Sequence, residues 1–145
     1  MHLVHYNVSM EEAHAHVFNV TCQINTPSPE EQIISLPAWI PGSYLIRDFA
    51  KNIIRIKVFC AELEIPIKKI DKDSWSIRTT GGPITIFYQI YARDRSVRTA
   101  YLDQFRGFIN GTSLFLRIHG LEQEPHEVRI IKPSWLSSKE KWFTI

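Results

Sequence analysis

Cysteine is scarce in this sequence, and its placement does not suggest a metal site. The chain carries two, Cys22 and Cys60, in strand-like runs without the close spacing of a zinc motif. Two isolated thiols favour reduced structural cysteines in the cytosol. The first seven residues are polar and lack the apolar stretch of a signal peptide. We therefore expect a cytoplasmic protein.

An excess of charge of either sign is also lacking. Lys and Arg number 17 and Asp and Glu number 15, which gives a net charge of +2. This balance argues against binding to nucleic acid or to a membrane surface. No run approaches the ~20 apolar residues of a transmembrane helix. We expect neither nucleic acid nor a membrane as a partner.

The chain does contain enough apolar material for a core. Its 145 residues are 44% hydrophobic and 12% aromatic, so a disordered chain is not expected. A domain of this size buries ~68–70% of the surface of its unfolded chain. We predict a single β domain that spans residues 1–145.

The apolar pattern has the period of two that is typical of β-strands. Residues 18–24 alternate between apolar and polar side chains, as a half-buried strand does. Residues 83–91 are apolar or aromatic on both faces, which predicts a central strand reached through a turn at Gly81-Gly82. Asn110-Gly111 indicates a type I′ hairpin between residues 106–109 and 112–118. The pattern predicts an all-β, antiparallel β-sandwich. One further strand should present a single face made of Ile54, Ile56, Val58 and Cys60.

The segment from Leu36 to Asn52 combines a turn with two charged residues. Pro41-Gly42 suits the central positions of a type II turn. Arg47 and Asp48 follow among aromatic and aliphatic neighbours, so we expect a structural ion pair with at least one buried member. The fold should contain at most one short helix, from Tyr44 to Asn52.

Several motifs in this and later segments occur together in one known family. The N-terminal motifs are Trp39, Pro41-Gly42-Ser43-Tyr44 and Arg47-Asp48-Phe49. The later motifs lie in residues 69–75, 96–103 and 106–117. The last of these ranges contains Asn110-Gly111-Thr112-Ser113. In this order, from about Leu36 to Leu116, the chain resembles the N-terminal domain of the glycyl-aminopeptidase family. These proteins are zinc metallopeptidases whose catalytic domain is related to thermolysin.

The resemblance implies that the chemistry resides in another domain. In the family, a later domain carries H-E-x-x-H on a helix, where two His bind zinc and the Glu activates water. Here the only His-Glu pair is His126-Glu127, and Ile130 stands where the second His belongs. Its surroundings alternate like a strand. We therefore expect no catalytic residue, no metal and no cofactor in this chain, and a zinc-bearing catalytic domain after Ile145.

The family also implies a role for the parent protein and for this domain. The parent would cleave peptides with Gly or Ala at the N-terminus, and this domain would pack on the catalytic domain and help to form its cleft. Four residues are candidates for contact with the peptide substrate, namely Ser43 and Tyr44 in the Pro-Gly turn and Thr99 and Tyr101 in the arginine-rich loop. The alternative is that these loops only dock the next domain.

Weaker candidates and other functions stay open at this point. His14 and His16 could share a strand face and form half of a metal site, but the sequence places no third ligand. Asp71 and Asp73 are interpreted as a solvated turn. A free-standing β-sandwich module that binds peptide or carbohydrate, and a purely structural interaction domain, are the two alternatives. Self-association of the chain is expected through apolar residues among Trp39, Tyr44, Phe105, Phe108, Trp142 and Phe143.

Overall fold

The computed structural model describes residues 4–11, 15–36, 53–91, 101–102, 107–108 and 115–131, with backbone only at 101–102 and 107–108. These residues form strands and turns, with no α-helix among them, and the predicted helix from Tyr44 to Asn52 lies outside them. The strands are β1 (Val4–Ser9), β2 (Val17–Ile24), β3 (Glu30–Ser35), β4 (Ile53–Cys60), β5 (Leu63–Ile65), β6 (Ile67–Asp71), β7 (Ser74–Thr79), β8 (Ile84–Tyr91), β9 (Tyr101–Leu102), β10 (Gly107–Phe108), β11 (Arg117–Ile118) and β12 (His126–Ile131).

Two sheets pack face to face as a sandwich. The larger has six strands in the order β12-β1-β2-β8-β4-β5, and the smaller has four in the order β11-β3-β7-β6. A separate two-stranded pair joins β10 to β9. All neighbouring strands are antiparallel except β1 and β12, which run parallel. The prediction of an all-β antiparallel sandwich is confirmed, with β12 as its parallel exception.

The core lies between the inner faces of the two sheets. Alternate residues of β1, β2 and β8 point into it, as expected where one face of a strand is buried. β8 lies between β2 and β4, so the predicted central strand is confirmed. The larger sheet contributes Val4, Tyr6, Val8, Phe18, Val20, Cys22, Ile24, Val58, Ile84, Ile86, Tyr88 and Ile90, and the smaller sheet and its flanks contribute Ile34, Leu36, Trp75, Ile77, Leu116 and Ile118.

The predicted face of β4 is wrong at one position. Ile54 was expected inside but is 57% exposed. The pairing of β4 with β8 shifts register between Ile53 and Arg55, so Ile53 takes the position opposite Ile90. A bulge of this kind places two residues against one and moves the following side chains to the other face.

Two of the connections between the sheets are tight corners. β5 belongs to the larger sheet, β6 belongs to the smaller one, and only Pro66 separates them. Proline cannot donate to a strand ladder, so it suits the point where pairing changes sheets. The second corner is the predicted turn at Gly81-Gly82, which carries the chain from β7 to β8, and Gly81 has a φ of 89° there.

The structure shows a hairpin between β4 and β5, whereas the sequence predicts another at Asn110-Gly111. The β4–β5 hairpin turns through Ala61 and Glu62, whose φ angles are 50° and 67°, and Cys60 pairs with Leu63 across it. The Asn110-Gly111 turn lies outside the described residues. Its described flanks pair elsewhere, β10 with β9 and β11 with β3, so that hairpin stays a prediction.

Three smaller expectations can be compared with the structure. Cys22 and Cys60 are both free thiols, as predicted. Asp71 and Asp73 flank the β6–β7 turn, where Asp71 Oδ1 accepts from the Lys72 amide at 2.7 Å and Asp73 Oδ1 accepts from Ser74 Oγ at 3.0 Å. In the part of the chain that the structure describes, no helix has the length and hydrophobicity that a membrane span requires.

Candidate functional site

A groove lies between β11 and β12, which are the edge strands of the two sheets among the residues that the structure describes. It encloses about 300 Å³. β1 supplies its floor, the residues leading into β11 supply one wall, and β12 supplies the other. The lining residues are Tyr6, Phe115, Leu116, Arg117, Ile118, Glu122, His126 and Val128.

Tyr6 organises the apolar part of the groove. It is only 4% exposed, because it points from β1 into the space between the sheets. Its ring meets Phe115 edge to face at a centroid distance of 5.0 Å and lies tilted against His126 at 6.2 Å. Edge-to-face pairs at this distance are favourable for aromatic rings. The Tyr6 hydroxyl donates a 2.7 Å hydrogen bond to the Leu116 carbonyl, which ties β1 to the start of β11.

Behind the groove, three titratable groups form a buried cluster, which we define as Tyr6, Cys22 and Tyr88. Burial raises the pKa of Cys22 to about 12, while a hydrogen bond with Tyr6 lowers it slightly. Burial is also the main cause of a raised pKa at Tyr6 and at Tyr88, and Cys22 adds to both shifts. A thiolate is the reactive form of cysteine, so Cys22 is not a nucleophile at neutral pH. The cluster is a structural feature of the core.

The loop after β11 is held in place by a buried glutamine. Gln32 is completely buried, and its Oε1 accepts from the Ser28 amide at 2.8 Å. Its Nε2 donates to the carbonyls of Ile33 and His119, both at 2.9 Å. The His119 ring also contacts Ser35 Oγ through Nε2 at 2.9 Å. Because buried amides are costly unless they are paired, this set of bonds fixes where the loop leaves β11.

An ion pair forms the polar rim of the groove. Arg117 Nη2 lies 2.9 Å from Glu122 Oε2, and Glu122 Oε1 accepts from the Gly120 amide at 2.5 Å. Gly120 has a φ of 93°, a conformation that glycine adopts readily. Backbone hydrogen bonding at Glu122 and the Arg117 side chain hold the pKa of Glu122 below its usual range. The rim therefore carries a fixed carboxylate and guanidinium beside aromatic walls, which suits binding of a side chain with an apolar body.

The described residues offer no fit for zinc. Among the ranges that the structure describes, no three His, Cys, Asp or Glu side chains come together as a metal group. His126 lies on strand β12, where its neighbours alternate between faces, so the helical spacing of H-E-x-x-H is absent there.

Most of the predicted site residues fall outside the described part of the chain. Ser43, Tyr44 and Thr99 lie there, as does the predicted ion pair of Arg47 and Asp48. Tyr101 is placed on β9, opposite Phe108 of β10, by its backbone alone. Contact of these residues with substrate, and burial of the ion pair, stay predictions.

The histidine prediction is wrong in its local structure. The sequence predicts a strand face shared by His14 and His16, but His16 lies in the turn before β2 with a φ of 61°. A residue in the left-handed conformation does not continue a strand face. Its ring packs edge to face on Tyr91 at 6.1 Å. His14 lies outside the described residues.

Sequence reasoning missed the groove itself. Tyr6 carried a usable signal, because Val4, Tyr6 and Val8 alternate with polar residues in the manner of a strand. Nothing local in the sequence, however, indicates that Tyr6 meets Leu116, since 110 positions separate them. The groove is a long-range feature.

Comparison with known proteins identifies the family. The sequence matches the family described as the peptidase M61 N-terminal domain over residues 5–142. No match was found among curated proteins. The crystal structure of an aminopeptidase N family protein from Idiomarina loihiensis has a TM-score of 0.87 to this fold and 44% sequence identity. The aligned region covers 90% of this chain and 22% of that chain. The resemblance to the glycyl-aminopeptidases is confirmed, and the chain belongs to the family of peptidase M61 N-terminal domains.

Proposed function

We propose that this N-terminal domain of a peptidase M61 family protein packs on a zinc-dependent catalytic domain and helps to shape its substrate cleft. The family match over residues 5–142 is the observation that carries the proposal. The solved relative supports it, because the aligned region is 22% of a chain named as an aminopeptidase N family protein. The domain itself is non-catalytic in this proposal.

The chemistry of the described residues supports a binding role over a catalytic one. The groove is lined with aromatic and aliphatic side chains, and its rim carries a paired arginine and glutamate. Burial raises the pKa of Tyr6 further above neutral pH, so its hydroxyl can donate a hydrogen bond but does not act as a base there. Binding surfaces commonly combine apolar walls with a few fixed polar groups in this way.

In the parent protein, zinc would be supplied by the catalytic domain and would activate water against the peptide carbonyl. The substrate would be a peptide with Gly or Ala at its N-terminus, and the parent would be cytoplasmic. Ser43, Tyr44, Thr99 and Tyr101 are the candidates from this domain for contact with that peptide.

Activity measurements on two proteins test the catalytic part of the proposal. The 145-residue chain should not hydrolyse Gly- or Ala-anilides and should not retain stoichiometric zinc after dialysis. A longer protein that includes an H-E-x-x-H domain should hydrolyse these anilides and should retain zinc. Chelator-sensitive cleavage by the purified short chain would overturn the assignment.

Substitutions in the longer protein test the cleft. Tyr44→Phe and Tyr101→Phe each remove only a hydroxyl, so they should raise KM for a peptide substrate while zinc content stays unchanged. Tyr91→Phe is the matched control, because Tyr91 is 40% exposed at the end of β8. If all three variants keep the KM of the parent, these two tyrosines do not contact substrate, although the domain assignment would stand.

A further inference from the structure

The outer edge of β12 is an exposed backbone edge beside the groove. β12 pairs with β1 on one side, and no described strand pairs with its other side. Five of its six residues are exposed, including Val128 at 46% and Ile131 at 41%. An unpaired edge of this kind presents backbone donors and acceptors to another strand.

The two faces of β12 differ in chemistry. His126 and Val128 face the groove, whereas Glu127 and Arg129 lie on the outer face of the larger sheet. Glu127 already approaches the ring of His5 at 3.7 Å, and its side chain is still 52% exposed. The strand therefore carries opposite charges two positions apart on one face, with a valine between them on the other.

This arrangement is self-complementary in one register. When two copies of an edge strand pair antiparallel about a two-fold axis, one residue lies opposite its own copy. Centring the axis on Val128 places Glu127 opposite Arg129 of the second copy and Arg129 opposite its Glu127. Centring it on Glu127 or on Arg129 instead places like charges face to face, which is unfavourable across strands.

Sequence at the ends of β12 limits the length of such pairing. Pro125 precedes the strand, and Lys132-Pro133 follows it. Proline lacks the amide that a ladder needs, so pairing is confined to the strand itself. The same limit protects against open-ended association, which charges and prolines at edges commonly prevent.

We propose that β12 is an interaction surface whose partner is a second copy of this chain, paired antiparallel about Val128. The six-stranded sheets of the two copies then form one continuous sheet across the dimer axis. The two Val128 side chains meet at the mouths of the two grooves. The contact is small, so the dimer is weak and depends on concentration. This inference does not depend on the proposed peptidase function.

Charge exchange tests the register. Sedimentation velocity on the 145-residue chain, from micromolar to millimolar concentration, gives the dissociation constant of the dimer. Arg129→Glu and Glu127→Arg should each weaken association by about tenfold or more, because two attractive pairs become two repulsive ones. The double variant that carries both changes should recover the original dissociation constant.

Mixing the two single variants gives the sharpest result. Each variant alone repels itself, but a mixed pair has Glu opposite Arg at both positions, so an equimolar mixture should associate as the unmodified chain does. Lys68→Glu is the matched control, since it makes the same change in charge on β6, an edge strand of the smaller sheet where Lys68 is exposed. It should leave the dissociation constant within about twofold.

Three results would overturn the proposal. One is a strict monomer at millimolar concentration, and another is equal weakening by Arg129→Glu and Lys68→Glu without rescue in the mixture. The third comes from hydrogen exchange, in which those amides of residues 126–131 that point away from β1 should be protected only at high concentration. If the longer protein protects them at every concentration, its catalytic domain occupies the edge and a second copy does not.

Discussion

The two ends of the six-stranded sheet are built in contrasting ways. At the β5 end, the chain passes through Pro66 directly into β6 of the smaller sheet, so the two sheets are covalently continuous. At the β12 end, residues 119–125 connect β11 of the smaller sheet to β12 of the larger one, and the groove lies between the two strands. The sheets are thus joined by a single residue at one end, which we call the closed end, and by a longer loop beside a groove at the other, which we call the open end.

The difference shows where side-chain contacts must supplement a longer connection between the sheets. At the open end, the Tyr6 hydroxyl bonds to the Leu116 carbonyl, and Tyr88 makes a further hydrogen bond with the Leu116 backbone. At the closed end, the structure is held by the backbone hydrogen bonds between β4 and β5 and by the two-residue turn that joins them. We therefore expect the open end to be sensitive to side-chain truncation and to pH, and the closed end to turn geometry.

Truncation of Tyr6 should have the largest effect. Tyr6→Ala removes a buried ring that packs on Phe115 and should lower the free energy of unfolding by about 3–5 kcal/mol. Tyr6→Phe keeps the ring and loses only the bond to Leu116, which should cost about 0.5–1.5 kcal/mol. Urea unfolding followed by circular dichroism measures both.

Leu63→Ala is the control at the closed end. Leu63 is 71% exposed, so its truncation should change the free energy of unfolding by no more than about 0.5 kcal/mol. If Tyr6→Ala costs no more than Leu63→Ala, the open end is not held by the tyrosine and the contrast between the two ends fails.

Alkaline pH should weaken the open end through the buried cluster. Below pH 9 the Cys22 thiol is neutral in both the folded and the unfolded chain, because its pKa rises from 9.0 to about 12 on folding. Between these values only the unfolded chain releases the proton, so stability falls as pH rises, by about 1.4 kcal/mol per pH unit at most. Tyr6 and Tyr88 add to the loss above pH 10, because burial raises their pKa from 10.0.

Urea unfolding at a series of pH values separates these contributions. In Cys22→Ala, the decline that begins near pH 9 should disappear and the decline that begins near pH 10 should remain. Cys60→Ala, at the far end of β4 and outside the cluster, is the matched cysteine control and should keep the profile of the unmodified chain. Identical profiles for the two variants would show that Cys22 is not the group that titrates.

The strands that the sequence predicted correctly are those specified by local pattern. β2 and β8 each bury one face over eight residues, so period-two alternation is enough to find them. Pattern fails at Ile54, where a bulge shifts the register without any change in composition. It also fails for β12, whose strand character is visible but whose parallel partner β1 lies at the other end of the chain.

Candidate sites were predictable only to the extent that their partners are close in sequence. The glycine turn at Gly81-Gly82 was found because the residues themselves require it. The groove depends on Tyr6, Phe115 and His126, which come from three distant parts of the chain and meet only in the folded protein. Contacts between residues so far apart in sequence are set by the order in which the strands pair, and the spacing of neighbouring residues in the sequence does not reveal that order.

The β4–β5 hairpin gives the smallest and most specific prediction. Ala61 and Glu62 both adopt positive φ, as type I′ turns require, although neither residue favours it. Asn at 61 and Gly at 62 are the residues that such turns prefer, and both positions are exposed, so no packing should be lost. Replacing Ala61 by Asn and Glu62 by Gly should therefore raise the free energy of unfolding by about 1 kcal/mol. The relief of backbone strain is only partly offset by the added freedom of glycine in the unfolded chain.

Gly81→Ala is a control that makes the opposite change, from glycine to a residue with a Cβ. Its φ is 89° and no neighbouring atom obstructs a Cβ, so any loss of stability there reports backbone strain alone. Urea unfolding that shows no gain from the Asn-Gly pair would mean that the turn at the closed end is not strained, and that the β4–β5 ladder and the connection through Pro66 hold this end together.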